Sequence, residues 1–526
     1  MKIIIPMAGI GQRFVNAGFK DIKPLIDIDG KPMVERICQM FPPDSEFIFI
    51  CNKEHLETTP LREVLERSAK NKLILAINPH KKGPVFSCLA AFDHVDDSEE
   101  VFVNYCDLLN EWDFNDLLEK ARKGNYEGVL PAFKGFHPAS LGTTFYAYMR
   151  VNEKDELLEI REKEAFTDNR MNEFASAGGY YFSRGGLFKK YFRKVIDENH
   201  NVNDEYYASI PYNFMMQDGL KVLAYDLPKH IVLGTPSDYN SYMFWSDFFR
   251  KKANGMNGQL ELNSDCTTLI PVAGRKKAFY ENNDLPKPLI RVMKKPMFIN
   301  TLESLPKTNE LIAIFLDDFI NNYNIDYVLT NEFPKSTVIK LNETTQGMAC
   351  TCLRASNTFD PDKPLIISSS DFILEYNKEK LKETIDNQEN DVIFFSHIDH
   401  DYVRRNPNAH TYLQLDEDNK FVVEVSEKVP ISNKPFNDHA FAGAIFFRTG
   451  QLFIEAANKM IRREKRVNGE FLVATCVNEL IESNKKVVPF VVDKFVSIGN
   501  LDNYKEFKYW EDYFDKLPYH PYSKTN

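Results

Sequence analysis

Cysteine, tryptophan and long apolar runs are scarce in this chain. Its 526 residues include 8 cysteines and 3 tryptophans, and no two cysteines form a CxxC pair. So few cysteines exclude a disulfide scaffold and indicate reduced thiols that mostly pack in cores. No apolar run approaches the roughly 20 residues of a membrane span, so we expect no membrane partner. The apolar stretch at 2–6 is too short for a signal peptide and predicts a first β-strand in a cytoplasmic protein.

Basic residues are also in deficit. Lys and Arg total 65 against 76 Asp and Glu, which gives a formal net charge of −11. A chain this acidic is a poor candidate for binding nucleic acid or an anionic membrane. Hydrophobic residues at 43% and charged residues at 27% are ordinary for a globular protein and exclude a disordered chain. At roughly 150 residues per domain, the length predicts two to four domains.

The same motifs occur twice, in the same order. The matching positions include Pro6 and Pro271, Lys23 and Lys287, Lys163 and Lys428, Gly234 and Gly499, and Trp245 and Trp510. The numbers in these pairs differ by 264 or 265 throughout, whereas chance matches would scatter, so we predict a tandem duplication. The polar stretch at 251–258 has the composition of a linker. We therefore predict domains at 1–250 and 266–526, joined by a linker at 251–265.

Within each half, short apolar runs alternate with segments of helix length. The predicted strands include 2–6, 47–51, 101–105 and 128–133, and in the second half 269–271, 311–315, 365–368 and 391–396. The predicted helices include 59–69 and 114–123. This alternation predicts an α/β fold with a mostly parallel, doubly wound sheet flanked by helices. In such sheets ligands bind at the carboxyl ends of the strands.

The loop after the first strand has the composition of a phosphate-binding loop. Gly9 and Gly11 let backbone amides approach a polyanion, and Arg13 and Lys23 supply positive charge nearby. The start of the following helix would add partial positive charge. A Walker A loop is excluded, because no Gly-Lys-Ser/Thr follows. The dinucleotide fingerprint is excluded too, because Phe14 stands where it requires a third glycine.

These motifs together resemble the sugar-phosphate nucleotidyltransferase family. The matching segments are 6–14, Lys23-Pro24-Leu25-Ile26, 30–33, 103–107, 160–163, 177–182 and 234–239. The resemblance covers nearly all of 1–245, and 267–510 with losses. It implies two nucleotidyltransferase domains of Rossmann-like (GT-A) fold. It also implies transfer of a nucleotidyl group from an NTP to a sugar phosphate or similar acceptor, with release of pyrophosphate and with Mg²⁺ as cofactor. Products of this kind feed surface polysaccharide synthesis in many relatives.

The resemblance implies a role for each matched residue. Ala8, Gly9, Gly11 and Gly83 would bind the nucleotide. Catalysis would rest on Arg13 at the pyrophosphate, Lys23 between the α-phosphate and the incoming phosphate, and Asp107. Lys163, Gly178 and Glu205 would bind the acceptor. The loop at 80–87 stands where the family reads the base, and its two lysines leave the choice of base open.

Asp107 is the predicted ligand of the metal. It follows an apolar strand, and Mg²⁺ prefers a few carboxylates together with substrate phosphates. A helix N-cap is the alternative role for this carboxylate. Many family members place a second aspartate just before the late Gly-Thr, but here that position is Val232. Glu205 is the substitute candidate, and a helix-start carboxylate is an equally good explanation of it.

Lys163 has one implied role, whereas the glycines at 178 and 179 and His137 keep two explanations each. Lys163 would contact the acceptor phosphate, as its family counterpart does. Gly178 and Gly179 favour close approach of a ligand, although a bulge also explains glycines there. His137 would either touch the acceptor or pack within its loop.

The second half keeps some of these residues and has lost others. Lys276 stands where Gly11 is expected and Ala278 where Arg13 is expected, which would obstruct the phosphate loop. The residues that survive are Lys287, Gly347, Asp371, Lys428, Gly443 and Glu470. We therefore predict a degenerate copy with a binding, regulatory or packing role, and a second active enzyme is the alternative.

Two other functions are weighed against nucleotidyl transfer. A glycosyltransferase of GT-A type would show an Asp-x-Asp motif at the metal strand, and neither half has one there. A nucleotide-sugar-binding regulator or scaffold would not need Arg13, Lys23 and Asp107 to be intact. A homo-oligomer is compatible with the sequence.

Overall fold

The chain folds into two compact units. The computed structural model describes residues 1–143, 145–255, 259–262, 265–275 and 285–524. The first unit comprises 1–253 together with 512–526, and the second comprises 254–511. Lys276 and Ala278 of the second phosphate loop lie outside the described residues, as do 256–258 and 263–264 of the predicted linker.

The first unit alternates strands and helices. Its strands are β1 (Lys2–Met7), β2 (Asp27–Ile28), β3 (Lys31–Pro32), β4 (Glu46–Asn52), β5 (Asn71–Ile77), β6 (Val101–Asn104), β7 (Leu108–Glu111), β8 (Gly128–Phe133), β9 (Ala147–Val151), β10 (Leu157–Glu162), β11 (Phe174–Ser176), β12 (Gly179–Phe182), β13 (Val222–Asp226) and β14 (Lys229–Val232). Its helices are α1 (Gln12–Asn16), α2 (Met33–Cys38), α3 (Lys53–Thr58), α4 (Leu61–Ser68), α5 (Pro84–Cys88), α6 (Phe114–Lys123), α7 (Gly185–Asp197), α8 (Pro211–Gln217) and α9 (Pro236–Ala253). The predicted strand at 128–133 and the predicted helix at 114–123 are found with these bounds. The helix predicted at 59–69 is found as the shorter α4, which begins after Pro60 and ends at Ser68.

The main sheet of this unit has the order β10-β9-β11-β8-β12-β6-β1-β4-β5, and β13 pairs with β8. Strands β6, β1, β4 and β5 are parallel, with Ile4 opposite both Ile48 and Val103. Strand β12 pairs antiparallel with β6 and β8, and β11 pairs antiparallel with β8 and β9. The α/β class with flanking helices is confirmed, and the sheet is mixed rather than mostly parallel.

The predicted phosphate loop, residues 8–13, and Asp107 follow neighbouring parallel strands. The loop leaves β1 at Met7, and Asp107 comes shortly after the end of β6 at Asn104. Ile4 and Val103, on these two strands, are fully buried in the core. The apolar runs thus place both segments at the carboxyl edge of the sheet, where α/β proteins bind ligands.

The second unit repeats this alternation. Its strands are β15 (Thr267–Val272), β16 (Arg291–Val292), β17 (Lys295–Pro296), β18 (Glu310–Leu316), β19 (Thr337–Leu341), β20 (Leu365–Ser368), β21 (Phe372–Glu375), β22 (Val392–His397), β23 (Thr411–Leu415), β24 (Val422–Glu427), β25 (His439–Phe447), β26 (Val487–Val491) and β27 (Lys494–Ser497). Its helices are α10 (Met297–Ser304), α11 (Asp317–Tyr323), α12 (Ile325–Glu332), α13 (Met348–Leu353), α14 (Lys378–Asp386), α15 (Asp401–Arg405), α16 (Gly450–Arg462), α17 (Val473–Cys476), α18 (Asn478–Ile481) and α19 (Leu501–Lys516). The last turn of α19, from Asp512, belongs to the first unit.

The main sheet of the second unit has the order β19-β18-β15-β20-β25-β22-β26. In chain order this is the path β5-β4-β1-β6-β12-β8-β13 of the first unit. The directions agree as well: β15 is parallel to β18 and β20, and β25 is antiparallel to β20 and β22.

The boundaries of the units differ from the predicted domains at both ends. Helix α9 continues through 251–253, where a linker was expected. Residues 512–524 pack with the first unit: His520 is buried and its Nε2 donates to the carbonyl of Ser246 (3.1 Å). The rings of Tyr522 and Phe249 lie 4.8 Å apart. The physical reason is apolar burial, which joins these segments although they are far apart in sequence.

None of the helices in the described part of the chain combines the length and hydropathy that a membrane span requires.

Candidate active site

One cleft of about 640 Å³ lies at the carboxyl edge of the first sheet. All ten candidate residues line it: Ala8, Gly9, Gly11, Arg13, Lys23, Gly83, Asp107, Lys163, Gly178 and Glu205. They come from segments spread over some two hundred residues of sequence, so the fold alone brings them together. Their individual roles stay predictions.

The phosphate loop presents backbone to this cleft. Gly11 has φ of +70°, a left-handed conformation that favours glycine. A side chain on Gly9 would meet nothing within 4 Å, so the space in front of its backbone is open. Helix α1, which follows, has five residues, so a helix terminus contributes less positive potential than the sequence suggested.

Lys23 is held at the floor of the cleft by two contacts. Its Nζ lies 2.7 Å from Oδ2 of Asp107 and donates to the carbonyl of Gly234 (3.0 Å). The ammonium also lies 5.4 Å from the centroid of the Phe14 ring. Lys23 opens a short 3₁₀ helix, Lys23–Leu25, in which Pro24 is buried. The side chains of Lys23 and Asp107 keep 17% and 27% exposure, so the pair is anchored and still open to a ligand.

A second carboxylate, that of Asp238, lies beside Asp107. A Cβ built on Gly234 would lie 3.5 Å from Oδ2 of Asp107 and 3.7 Å from Oδ2 of Asp238. Asp238 accepts from the amide (2.9 Å) and the hydroxyl (2.7 Å) of Thr235, and its own amide donates to that hydroxyl (3.2 Å). These reciprocal bonds form a capping box for α9, with Pro236 in its first turn. The Thr-Pro-Ser-Asp spacing at 235–238 signals this box, although Asp238 was not among the candidate residues.

The cleft offers hard oxygen donors to a divalent cation. Burial raises the pKa of Asp238, and the negative charge of Asp107 raises it further. A cation between these carboxylates would relieve that repulsion. In the described part of the chain, no cluster of three or more His, Cys, Asp or Glu side chains is arranged to hold a metal. These carboxylates therefore fit a Mg²⁺ ion whose remaining ligands come from substrate phosphates. They do not form a site in which the protein supplies every ligand.

Lys163 lines the same cleft and has an uncommon backbone conformation. Its φ is +61°, and its Nζ donates to the carbonyl of Phe145 (2.8 Å). The adjacent Glu162 is almost fully buried: its Oε1 lies 3.6 Å from Lys163 Nζ, and its Oε2 accepts from the hydroxyl of Ser209 (2.6 Å). Burial raises the pKa of Glu162, an effect that Lys163 partly offsets. Glu162 lines the cleft as well, and the repeated Glu-Lys pair was its sequence signal.

The glycines at 178 and 83 are explained by protein neighbours. Gly178 has φ of +72°, and a Cβ there would lie 2.2 Å from Cδ2 of Leu108. A Cβ on Gly83 would lie 2.7 Å from the backbone nitrogen of Tyr206. Gly178 also stands between β11 and β12 and not inside one strand. At both glycines, other atoms of the protein come close to the backbone. Packing within the protein is therefore enough to explain why glycine stands there.

Glu205 and Arg13 both affect the pKa of the Tyr207 hydroxyl. Burial and donation to Glu205 raise the pKa of Tyr207, whereas the positive charge of Arg13 works in the opposite direction. Glu205 also raises the pKa of Glu162 by charge repulsion. Glu205 therefore affects Tyr207 and Glu162, and Glu162 is the neighbour of Lys163.

His137 packs within the protein. It is 3% exposed, its Nε2 donates to the carbonyl of His230 (2.8 Å), and its Nδ1 accepts from the amide of Ala139 (3.1 Å). Burial lowers its pKa to about 4, so it is neutral at pH 7. Of the two explanations left open by the sequence, packing is the one that the structure supports.

His80 lines the cleft within the segment 80–87, which was predicted to read the base. Its Nδ1 accepts from the amide of Lys82 (3.1 Å), which leaves Nε2 as a donor to the hydroxyl of Ser87 (3.0 Å). Burial and the nearby Lys82 lower the pKa of His80. This edge of the cleft is therefore neutral at His80 and carries positive charge on the two lysines next to it.

Residues 3–170 match the family model described as the MobA-like NTP transferase domain. This segment holds the phosphate loop, Lys23, Asp107 and Lys163. No protein with a curated description is similar enough to the chain to count as a match.

Several solved structures are similar to about half of the chain. One is a nucleoside-diphosphate-sugar pyrophosphorylase from Vibrio cholerae RC9, with 20% identity over 46% of this chain and 99% of that one, and a TM-score of 0.38. Another is the inositol-1-phosphate CTP transferase from T. maritima, with 11% identity over 47% and 96% of the two chains and a TM-score of 0.37. A third is a UDP-glucose pyrophosphorylase from Acinetobacter baumanii, with 14% identity over 48% and 93% and a TM-score of 0.37.

The loop after β1, the anchored lysine and the strand-end aspartate thus stand within one segment, residues 3–170, and that segment matches the MobA-like NTP transferase domain.

Proposed function

We propose that the first unit transfers a nucleotidyl group from an NTP to a phosphorylated acceptor such as a sugar phosphate. A phosphate oxygen of the acceptor attacks the α-phosphorus, a new P–O bond forms, and the bond to the β-phosphate breaks as pyrophosphate leaves. The observation that carries the proposal is the Lys23–Asp107 pair: the two groups lie 2.7 Å apart and line one cleft together with the open phosphate loop and Lys163.

Positioning and charge do most of the work in such a transfer. Gly9 and Gly11 present backbone to the triphosphate, and the exposed Arg13 neutralises the departing pyrophosphate. Lys23 contacts the α-phosphate and the attacking phosphate. Because Asp107 and the Gly234 carbonyl fix its ammonium beforehand, little reorganisation is needed when phosphates bind.

Asp107, with Asp238 beside it, would hold Mg²⁺ together with the phosphates. When bound, the ion neutralises charge that develops on the phosphate oxygens. Glu205 is retained as an acceptor contact, because its electrostatic effects reach Glu162 and Tyr207.

The acceptor site is built around Lys163. The carbonyl of Phe145 and the buried Glu162 hold its ammonium near the cleft, where it pairs with the acceptor phosphate. Glu162, buried beside this lysine, accepts hydrogen bonds and is placed to receive one from an acceptor hydroxyl.

The two units are proposed to descend from one duplicated domain, since they share motifs and strand order. We place the product, an activated sugar or polyol, in the cytoplasmic supply of precursors for surface polysaccharide. The acidic chain is proposed to act without nucleic acid or membrane partners.

The test is pyrophosphate release by the full chain. The common NTPs are combined with a panel of sugar and polyol phosphates, with Mg²⁺ present. One pair should release stoichiometric pyrophosphate, and Lys23→Ala should abolish most of this activity. Lys20→Ala is the matched control, because Lys20 is exposed and lies outside the cleft lining.

The alternatives predict other products. A glycosyltransferase would consume a nucleotide sugar and release a nucleoside diphosphate, and a regulator would bind nucleotide sugar without turnover. Absence of pyrophosphate release with every pair, in a chain that is folded, would contradict the proposal.

A further inference from the structure

The second unit contains a copy of the lysine–aspartate arrangement. Lys287 Nζ lies 2.5 Å from Oδ2 of Asp371 and donates to the carbonyl of Gly499 (2.6 Å). The side chains of Lys287 and Asp371 are 18% and 29% exposed, close to the 17% and 27% of Lys23 and Asp107. The pair is therefore as anchored, and as open to solvent, as its counterpart in the first unit.

The backbone around this pair is preserved as well. The amide of Ile498 donates to the carbonyl of Asp371 (2.9 Å), as Leu233 does to Asp107 (2.8 Å). Gly443 has φ of +89°, and a Cβ there would lie 2.2 Å from Phe372, which repeats the contact between Gly178 and Leu108.

The second unit also has a lysine, Lys428, at the position that matches Lys163. Lys428 is exposed, has φ of +60° and donates its amide to the carbonyl of His410 (2.8 Å). Lys163 has φ of +61° and donates its amide to the carbonyl of Tyr146 (2.9 Å). A left-handed conformation is unfavourable for lysine, and asparagine or glycine would hold the same turn at lower cost. Backbone shape therefore does not explain why both units have lysine there.

Residues with a purely structural duty have changed between the units. The Nε of Arg36 donates to the carbonyl of Ile28 (3.0 Å), and the matching contact is made by Nδ2 of Asn300 to Val292 (2.8 Å). The buried His230, which hydrogen-bonds to Asn110, corresponds to Phe495. Side chains that only support the fold have thus been exchanged, whereas the two lysines and the aspartate have kept their chemistry.

We propose that the second unit binds a phosphate-bearing ligand of its own, with Lys287 and Lys428 as its cation contacts and Asp371 as the anchor of Lys287. The ligand class is a nucleoside polyphosphate or a phosphorylated acceptor, which share the phosphate chemistry that two positioned lysines recognise. This site lies within 254–511 and is additional to the transfer site. It rests on the proposed function only in that Lys23 and Lys163 are interpreted there as phosphate contacts.

The experiment counts phosphate sites on the full chain. Equilibrium dialysis with labelled pyrophosphate and Mg²⁺ measures the ligand bound per chain for three proteins. These are the wild type, the first-unit variant Lys23→Met/Asp107→Asn and the second-unit variant Lys287→Met/Asp371→Asn. We expect two sites in the wild type and one in each variant. A first-unit variant that binds no pyrophosphate overturns the inference.

Two additions keep the result decisive. Lys428→Met removes an exposed side chain, so it should fold normally and weaken the remaining site of the first-unit variant at least tenfold. An unchanged affinity would overturn the assignment of Lys428.

Competition by an NTP mixture or by a hexose 1-phosphate identifies the source of the phosphate, and failure of both to compete overturns a specific site. Pyrophosphate release measured on the same proteins distinguishes this inference from the proposed function, since the second-unit variant should keep its activity.

Discussion

The ammonium of Lys23 lies 2.7 Å from the carboxylate of Asp107, across 84 positions of sequence. The contact joins the segment after the phosphate loop to the end of the neighbouring parallel strand β6. A half-buried pair of this kind adds little to stability by itself, because desolvation offsets much of the attraction. In the proposed function, the pair holds a cation and an anion in place where phosphates and a metal would bind.

Arg13→Ala should lower kcat/KM for pyrophosphate formation by a factor on the order of 10² to 10³, as loss of one positioned charge does. Asp371→Ala, in the second unit, should leave turnover within about threefold of wild type. Steady-state pyrophosphate release measures both. Full activity in Arg13→Ala combined with loss in Asp371→Ala would reverse the assignment of the catalytic unit.

Asp107→Asn should raise the Mg²⁺ concentration needed for half-maximal activity and lower the maximum. The amide keeps the shape of the carboxylate but lacks the negative charge that a hard cation requires. A Mg²⁺ titration of activity is the measurement, with Asp93→Asn as an exposed aspartate control. The same Mg²⁺ dependence in both variants would leave Asp107 only the task of holding Lys23.

Lys163→Ala should weaken use of the acceptor while NTP binding is kept. One charge-assisted contact contributes about 1.5–3 kcal/mol, so kcat/KM for the acceptor should fall by roughly ten- to a hundredfold. NTP affinity, measured by calorimetry without acceptor, should change by less than about threefold. Lys154→Ala, at an exposed position, is the control. Equal losses for both ligands would place Lys163 in the nucleotide site or indicate a disturbed fold.

Glu162→Gln should change the pH dependence of stability. Burial raises the pKa of Glu162 above its ordinary 4.5, so folding favours its protonated form. Its contribution to stability is therefore greatest below pH 4.5 and is lost as the pH rises through the raised pKa. Glutamine cannot ionise, so the Tm of the variant relative to wild type should increase from pH 5 to pH 8. Scanning calorimetry of the first-unit transition measures this, with the exposed Glu164→Gln as control. A Tm difference that is constant with pH would contradict the burial argument.

Gly178→Ala should destabilise the first unit more than Gly219→Ala. Both glycines have positive φ, which costs alanine about 1–2 kcal/mol, but only at 178 would the new Cβ meet a side chain, that of Leu108 at 2.2 Å. Overpacking adds about 1–3 kcal/mol at Gly178. Chemical unfolding measures both, and adding Leu108→Ala should recover part of the loss in Gly178→Ala. Equal destabilisation of the two variants would return Gly178 to the role of a ligand contact.

Local sequence was sufficient to predict strands and to name residues that line one cleft. Apolar runs with turn residues at their ends depend on the nearest neighbours in the chain, which is why 128–133 and 114–123 are found with the predicted bounds. Residues that follow parallel strands meet at one edge, so Asp107 and the phosphate loop share a cleft as expected. Lys23 and Lys163 were identified by their repetition, which needs no knowledge of contacts.

Other features were decided by tertiary structure, because they depend on partners far away in sequence. Strand direction follows from long-range pairing, so the mixed sheet did not show in the apolar pattern. Asp238 lies beside Asp107 only because β14 pairs with β7 and delivers the start of α9 there. Residues 512–526 join the first unit because burial of their apolar side chains is insensitive to chain distance. Sequence thus determined the local elements and the chemistry that they carry, whereas non-local packing decided which of those groups face one another.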